Sequence, residues 1–314
     1  MSKSLNYYSH GKLLLSGEYF VLDGAKALAI PARLGQHLEV KQIEGDHGKL
    51  IWESLDEKGN PFLSVVFELN DFKIIEKRGE VPHYLLQDAL REARNLQKDF
   101  LKQKSGVKAT SRLEFSLGWG LGSSSTLIHN IASWAKVDAF DLFFTLLDGS
   151  GYDVACAGAK KPITYQLQNN HAVWNEIDFN PSFAGNIFFV YLGKKQNSQQ
   201  AVRQYLDNEH DPVLANQISR ITERLIAANN ADEFILLMKE HETILSSALR
   251  LEKVQDVFFS SFPGAIKSLG AWGGDFVMAC AKQEPDAIKK YFSEKGFQTV
   301  FGFKEIIFAN RAHI

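Results

Sequence analysis

The chain has 314 residues, of which 45 % are hydrophobic and 23 % charged, a balance that suits a globular protein long enough for two domains. Its 35 Lys and Arg against 37 Asp and Glu leave a formal charge of −2, without the basic bias of a dedicated nucleic-acid or membrane-surface binder. Cys156 and Cys280 are the only cysteines and fit no CxxC or Cys/His pattern, so neither a disulfide framework nor a zinc site is expected.

The first segment, MSKSLNYYSHGKLLLSGEY, lacks the apolar core of a signal peptide, and no apolar run approaches the roughly 18 residues of a membrane span. A cytoplasmic protein with no membrane partner is the expectation. Residues 1–80 are expected to be mostly strands, over 11–15, 36–43, 50–53 and 63–75, with a turn signal at 56–61. Residues 83–104 change to helical spacing, with Leu86, Leu90, Ala93, Leu96 and Phe100 at steps of three or four. A strand over 111–117 leads into a glycine-rich loop at 118–125, then a helix to about 134 and another over 140–147. Strands are expected again at 163–168, 172–179 and 186–192, and helices at 198–206, 212–228 and 232–251. The strand 276–281, a helix over 286–294 and a last strand at 304–308 finish the chain. Strands and helices mix without regular βαβ alternation, so an α+β fold is favoured, with a domain boundary near 180–185 at Asn180-Pro181.

Four segments carry residues suited to chemistry. In Gly118-Trp-Gly120-Leu121-Gly122-Ser123-Ser124-Ser125, glycines allow close backbone approach, and the serines stand where they can cap a helix. A helix N-terminus there suits a phosphate, and a serine hydroxyl can reach Mg²⁺; a plain capped turn explains the same residues. No lysine follows the glycines as a P-loop requires. A Rossmann loop has its glycine spacing and an acid, Asp138 or Asp141, at the right distance, but the preceding strand alternates polar and apolar residues, unlike one buried on both faces. Asp153, in Gly149-Ser-Gly-Tyr-Asp, is either a helix N-cap or a group that accepts a substrate hydroxyl proton. Lys12 sits at a strand start; beside an aspartate it would hold that group ionised and counter developing phosphoryl charge. Lys267-Ser-Leu-Gly-Ala-Trp-Gly273-Gly274-Asp275 reads as a turn or bulge, or as backbone closing over phosphates.

In this order the segments resemble the motifs of the GHMP kinase superfamily. GKLLLSGEYFVLDG resembles its first motif, SLGWGLGSSS its second and GAWGGDF its third, and with GSGYDVA the matches run from residue 10 to residue 280. GEY, the aspartate of GSGYD and the closing GGD look more like phosphomevalonate kinase than mevalonate kinase, and residues 193–198 are similar to a substrate-side segment of the former. The resemblance implies ATP and Mg²⁺ as cofactors, a small anionic substrate, and transfer of the γ-phosphoryl group to phosphomevalonate or mevalonate. It implies a ribosomal-protein-S5-like N-terminal domain over 1–182, a ferredoxin-like C-terminal domain over 183–314, and a monomer or homodimer without nucleic acid.

Carried over, it implies that Lys12 and Asp153 are catalytic and that Gly118, Gly120, Leu121, Gly122, Ser123, Ser124 and Ser125 hold ATP, with Ser124 on the metal. Glu18, Lys195, Ser198, Gly273, Gly274 and Asp275 would face the substrate. The chain departs from the pattern at His10 and Ser116, where prolines are usual, and at Ser125, where alanine is. Trp272 replaces a glycine, a bulk expected to narrow the site or reshape its loop. The glutamate that many members use as a second metal ligand has no counterpart; the acids between Ser125 and Asp153 are Asp138, Asp141 and Asp148. A diphosphomevalonate decarboxylase, a sugar or amino-alcohol kinase, and a non-catalytic nucleotide binder are the competing readings.

Overall fold

The computed structural model describes residues 4–169, 171–194, 198–207 and 211–308. Its first part builds a sheet from β1 (Leu5–Ser16), β2 (Ala27–Ile43), β3 (Lys49–Leu55), β4 (Pro61–Glu68), β5 (Ile74–Arg78), β6 (Gly106–Leu113), β7 (Ile163–Gln168) and β8 (His171–Glu176). The order is β5-β4-β3-β6-β2-β7-β8, with β1 paired to β2; β3 and β6 are parallel and the other pairs antiparallel. The single strand expected over 63–75 is two, because Phe72 turns the chain at φ 55. Helices α1 (Tyr84–Leu96), α2 (Ser123–Ala135), α3 (Ala139–Leu146) and α4 (Tyr152–Gly158) accompany this sheet. α1 buries Leu86, Ala89, Leu90 and Ala93, the helical stripe visible in its sequence, in a core with Trp52, Phe67, Ile128 and Leu142.

The remainder builds a second, antiparallel sheet, β10-β11-β9-β12, from β9 (Ile187–Tyr191), β10 (Gly264–Ser268), β11 (Phe276–Ala281) and β12 (Val300–Gly302). Helices α5 (Ser198–Leu206), α6 (Pro212–Ala227), α7 (Ala231–Leu249), α8 (Val254–Phe258), α9 (Pro285–Glu294) and α10 (Phe303–Ile306) surround it. Every residue of β11 is buried, which its unbroken apolar run FVMACA requires: Phe276, Met278 and Cys280 join the core with α6 and α7, Val277, Ala279 and Ala281 the core with α8 and α9. The last strand expected, 304–308, is instead the short helix α10 followed by one bridge, Ile307 to Ala32 of β2.

A buried ionisable cluster joins the two sheets. Glu18, just after β1, is ion-paired with Lys267 of β10, and both are buried. His241 of α7 accepts the Gly17 N–H through Nε2 at 3.1 Å, and burial, then Lys267, push its pKa well below the ordinary value. It is therefore neutral, and its 3.4 Å approach to Glu18 is no ion pair. Glu242 beside it has neither oxygen hydrogen-bonded among the described residues, and burial pushes its pKa up to about 8, only partly opposed by Lys267.

The Glu242 carboxyl is thus protonated near neutrality in the folded chain and ionised in the unfolded one, whose value lies near 4.5. Stability should fall as pH rises from about 4.5 to 8, because only the unfolded chain has released the proton. Glu242→Gln should remove this slope and raise the melting temperature at pH 9, with a gain shrinking towards pH 5. A variant that melts lower than the parent at pH 9 would show the carboxylate to be stabilising.

Candidate active site

Lys12 is held where it is by a break in β1. The β1–β2 register is interrupted between His10, opposite Gly35, and Lys12, opposite Pro31. At this break the Lys12 N–H leaves the sheet and donates to Leu121 O of the glycine loop at 3.0 Å. Gly11 permits it, since a Cβ there would meet Leu34 O at 2.9 Å and Leu121 O at 3.1 Å. The half-buried Lys12 side chain then lies along Gly122, where a Cβ would stand 3.2 Å from its Cγ. Burial works against the ammonium charge, but Tyr152, Asp153 and Asp275 outweigh it and lift the Lys12 pKa above its ordinary value. Its Nζ lies 5.4 Å from the centre of the Tyr152 ring.

The glycine loop ends in α2, whose N-cap is Gly122 at φ 88 with no side-chain cap. The capping expected of the serines is therefore not what they do; they form the first turn of the helix itself. Its first amides have no intrahelical carbonyl partners, and Gly122, Ser123, Ser124 and Ser125 line the cavity. A buried polar network fixes this helix against the strands: Ser9 Oγ donates to Asn130 Oδ1 at 2.8 Å, Asn130 Nδ2 to Gln36 O at 2.9 Å, and Thr126 Oγ1 to Gln36 Oε1 at 2.5 Å.

Asp153 is not an N-cap either. Gly151 at φ 81 caps α4, and Asp153 lies in the first turn, its carboxylate accepting from Ser125 Oγ at 2.5 Å. Ser125, the departure from the alanine of the motif, is thus the group that orients Asp153. Tyr165 donates to Ser150 O and pins the loop before it, while Val154, Ala155 and Cys156 bury the helix behind.

One cavity is lined by Lys12, Glu18, Gly120, Leu121, Gly122, Ser123, Ser124, Ser125, Asp153 and Asp275. Gly118, Gly273 and Gly274 are not among its lining; Gly118 is held by Tyr191 Oη donating to its carbonyl at 3.1 Å, and from the third motif Gly270 and Ala271 face the space instead. Lys195 lies outside the described residues, as does the side chain of Ser198. Trp272 does not narrow the site: its Nε1 donates to Glu252 O at 3.0 Å, and its backbone N–H donates to Tyr19 Oη at 2.8 Å. Sequence reasoning missed Tyr19 and Tyr152, both lining the cavity, though Tyr19 belongs to GEY and Tyr152 precedes Asp153. Tyr19 holds φ 60, an uncommon conformation for a bulky residue. Burial pushes the Tyr152 phenol up to about 12, so it faces Lys12 as a neutral hydroxyl.

Among the described residues no group of three or more His, Cys, Asp or Glu is arranged to hold a metal. Magnesium in phosphate sites takes one or two carboxylates and completes its shell with phosphates and water. Asp153 and Asp275 with the Ser124 hydroxyl suit that need. Asp138 does not, since it caps α3, and Asp148 faces Arg203 at 3.2 Å.

Asp275 rests on Gly120, where an added Cβ would stand 2.2 Å from its Oδ2, and Gly120 itself is at φ 65. Gly120→Ala should therefore destabilise the chain by more than the about 1–2 kcal/mol of left-handed backbone alone. Gly45→Ala, at φ 78 with nothing within 4 Å, measures that backbone share. Equal denaturant midpoints for the two variants would mean that Asp275 does not rest on the loop.

No protein-family model and no curated protein sequence matches the chain. Solved structures do. The mevalonate kinase of Methanococcus jannaschii is 17 % identical, with a TM-score of 0.72 over 98 % of this chain and 99 % of that one. Streptococcus pneumoniae phosphomevalonate kinase, solved with phosphomevalonate and AMPPNP, is 15 % identical with a TM-score of 0.69 over 95 % and 99 %. Lactococcus lactis galactokinase, solved with galactose, is 12 % identical with a TM-score of 0.66 over 98 % and 94 %. At such identities the likeness is one of backbone, and the α+β chain has the two-domain fold of the GHMP kinases.

Proposed function

We propose that the chain is an ATP-dependent small-molecule kinase that transfers the γ-phosphoryl group to a mevalonate-pathway acceptor, phosphomevalonate or mevalonate. The observation that carries this reading is the convergence of Lys12, the Ser125–Asp153 pair and the uncapped start of α2 on one cavity. Residues 1–182 would form the ATP-binding domain and 183–314 the second domain.

The amides of Gly122, Ser123 and Ser124 would bind the ATP phosphates, with Ser124 on Mg²⁺, which when bound offsets charge between the phosphates. Ser125 donates to one Asp153 oxygen and leaves the other for the acceptor hydroxyl. As the hydroxyl oxygen bonds to the γ-phosphorus and the bond to the β-phosphate oxygen breaks, the hydroxyl proton passes to Asp153 and ADP leaves. Lys12, kept charged, balances the negative charge on the transferring group. Orientation and electrostatics supply most of the rate in such transfers.

Of the acids that line the cavity, Glu18 is ion-paired with Lys267 and Asp148 with Arg203, so Lys12 faces Asp153 and Asp275 among the described residues. The apolar wall of Leu14, Val21, Leu22 and Val202 suits a short branched carbon chain better than a sugar ring rich in hydroxyls.

ADP release with Mg²⁺ and ATP, measured against mevalonate, phosphomevalonate, diphosphomevalonate, homoserine and galactose, tests the reading. Mevalonate or phosphomevalonate should give the highest kcat/KM; release of carbon dioxide from diphosphomevalonate would make the chain a decarboxylase, and no turnover with any acceptor would end the proposal. With the active acceptor, Asp153→Asn should lower kcat by about 100-fold or more, as loss of a general base does. Lys12→Met should act similarly while melting close to the parent. Near-parental turnover in Asp153→Asn would remove Asp153 from the chemistry.

A further inference from the structure

A second cavity, separate from the first, opens where β2 and the chain before β7 meet α10, with a volume of about 560 Å³, in the range of small-molecule sites. Its floor is apolar. Phe179, Phe303 and Ile307 are all buried, and the two rings meet edge to face at 5.9 Å. Its rim is basic, with Arg33, Lys161 and Lys304 against one acid, Asp178. Asp178 is already engaged by Lys161 at 2.8 Å. The side chains of Arg33 and Lys304 have no acidic partner among the described residues.

Two exposed cations without partners, over an aromatic floor, suit a ligand that is anionic at one end and apolar at the other. A guanidinium adds geometry, since its planar fork matches two oxygens of a phosphate. We infer that this cavity is a binding site for a phosphate monoester with a short apolar body, its head between Arg33 and Lys304 and its chain on Phe179 and Phe303. It is distinct from the cavity that holds Lys12 and Asp153, and shares no lining residue with it.

The site lies close to the machinery in bonding terms. Ile307, part of its floor, bridges to Ala32, and the next N–H, of Phe308, donates to Pro31 O at 2.9 Å. Pro31 is the residue opposite Lys12 in the β1–β2 register. His10, on the other side of the register break, donates from Nδ1 to Ala32 O at 2.9 Å and packs on Phe308 with ring centres 4.1 Å apart. An occupant that shifts α10 therefore acts on the stretch of β2 against which Lys12 is placed.

Calorimetric titration of the full chain with n-hexyl phosphate tests the inference, with inorganic phosphate and 1-hexanol titrated separately. The expected result is saturable binding of hexyl phosphate, each half-ligand being weaker by about tenfold or more. The Arg33→Ala/Lys304→Ala double variant, altered only at exposed side chains and so expected to fold, should lose about tenfold in affinity, and added salt should weaken the parent. Lys12→Met should bind as the parent does. No saturable heat with the parent, equal affinity in the double variant, or loss of binding in Lys12→Met would each overturn the assignment, the last by placing the ligand in the first cavity.

Discussion

The candidate site depends on one hydrogen bond, from the Lys12 N–H to Leu121 O. Within a regular antiparallel pair, that N–H would be spent on β2, and the glycine loop would have no tie to the first strand. Gly11 breaks the register by having no side chain to clash with Leu34 and Leu121. The strand then carries Lys12 directly beneath the loop that precedes α2. Gly122 completes the fit: its φ of 88 suits glycine, and a Cβ there would stand tight against the lysine stem, 3.2 Å from its Cγ.

Around this tie the fold supplies rigidity of two kinds. The polar network of Ser9, Gln36, Thr126 and Asn130 fixes the start of α2, so its amides are aimed before any ligand arrives. Across the site, the buried Glu18–Lys267 pair joins the first motif to β10, whose following loop brings Asp275 against Gly120. Buried ion pairs contribute little net stability once desolvation is counted. This one has a geometric use, holding the strand with Lys12 and the sheet with Asp275 at a fixed separation. A neutral His241 and a protonated Glu242 surround it near neutral pH, and burial raises the Glu18 pKa against the opposing pull of Lys267.

Much of this was legible in the sequence, and for physical reasons. Helical spacing placed α6 and α7 to within a few residues and the start of α1, because an apolar stripe has a period that strands lack, but α1 ends at Leu96, short of the 104 expected. Lys12, Ser124 and Asp153 were legible through their motifs, and the structure brings them to one cavity. What sequence hid was local geometry. The serines and Asp153 looked like caps, yet left-handed glycines cap both helices and free those side chains. Trp272 looked obstructive, but it packs against the core with its indole N–H bonded to Glu252 O and does not line the cavity. β10 was missed because it is short, fully buried and carries Lys267, whose partner Glu18 lies 249 positions away. The helix α10 was read as a strand, since a four-residue segment shows too little of either period to choose between them.

A crystal structure of the chain with AMPPNP, Mg²⁺ and mevalonate is the most direct measure of whether loop, lysine and aspartate serve one reaction. The γ-phosphate should lie between the start of α2 and the Lys12 ammonium, with an acceptor hydroxyl on the free oxygen of Asp153. A nucleotide bound with its phosphates away from Gly122, Ser123 and Ser124, or an acceptor hydroxyl out of reach of Asp153, would contradict the proposed chemistry.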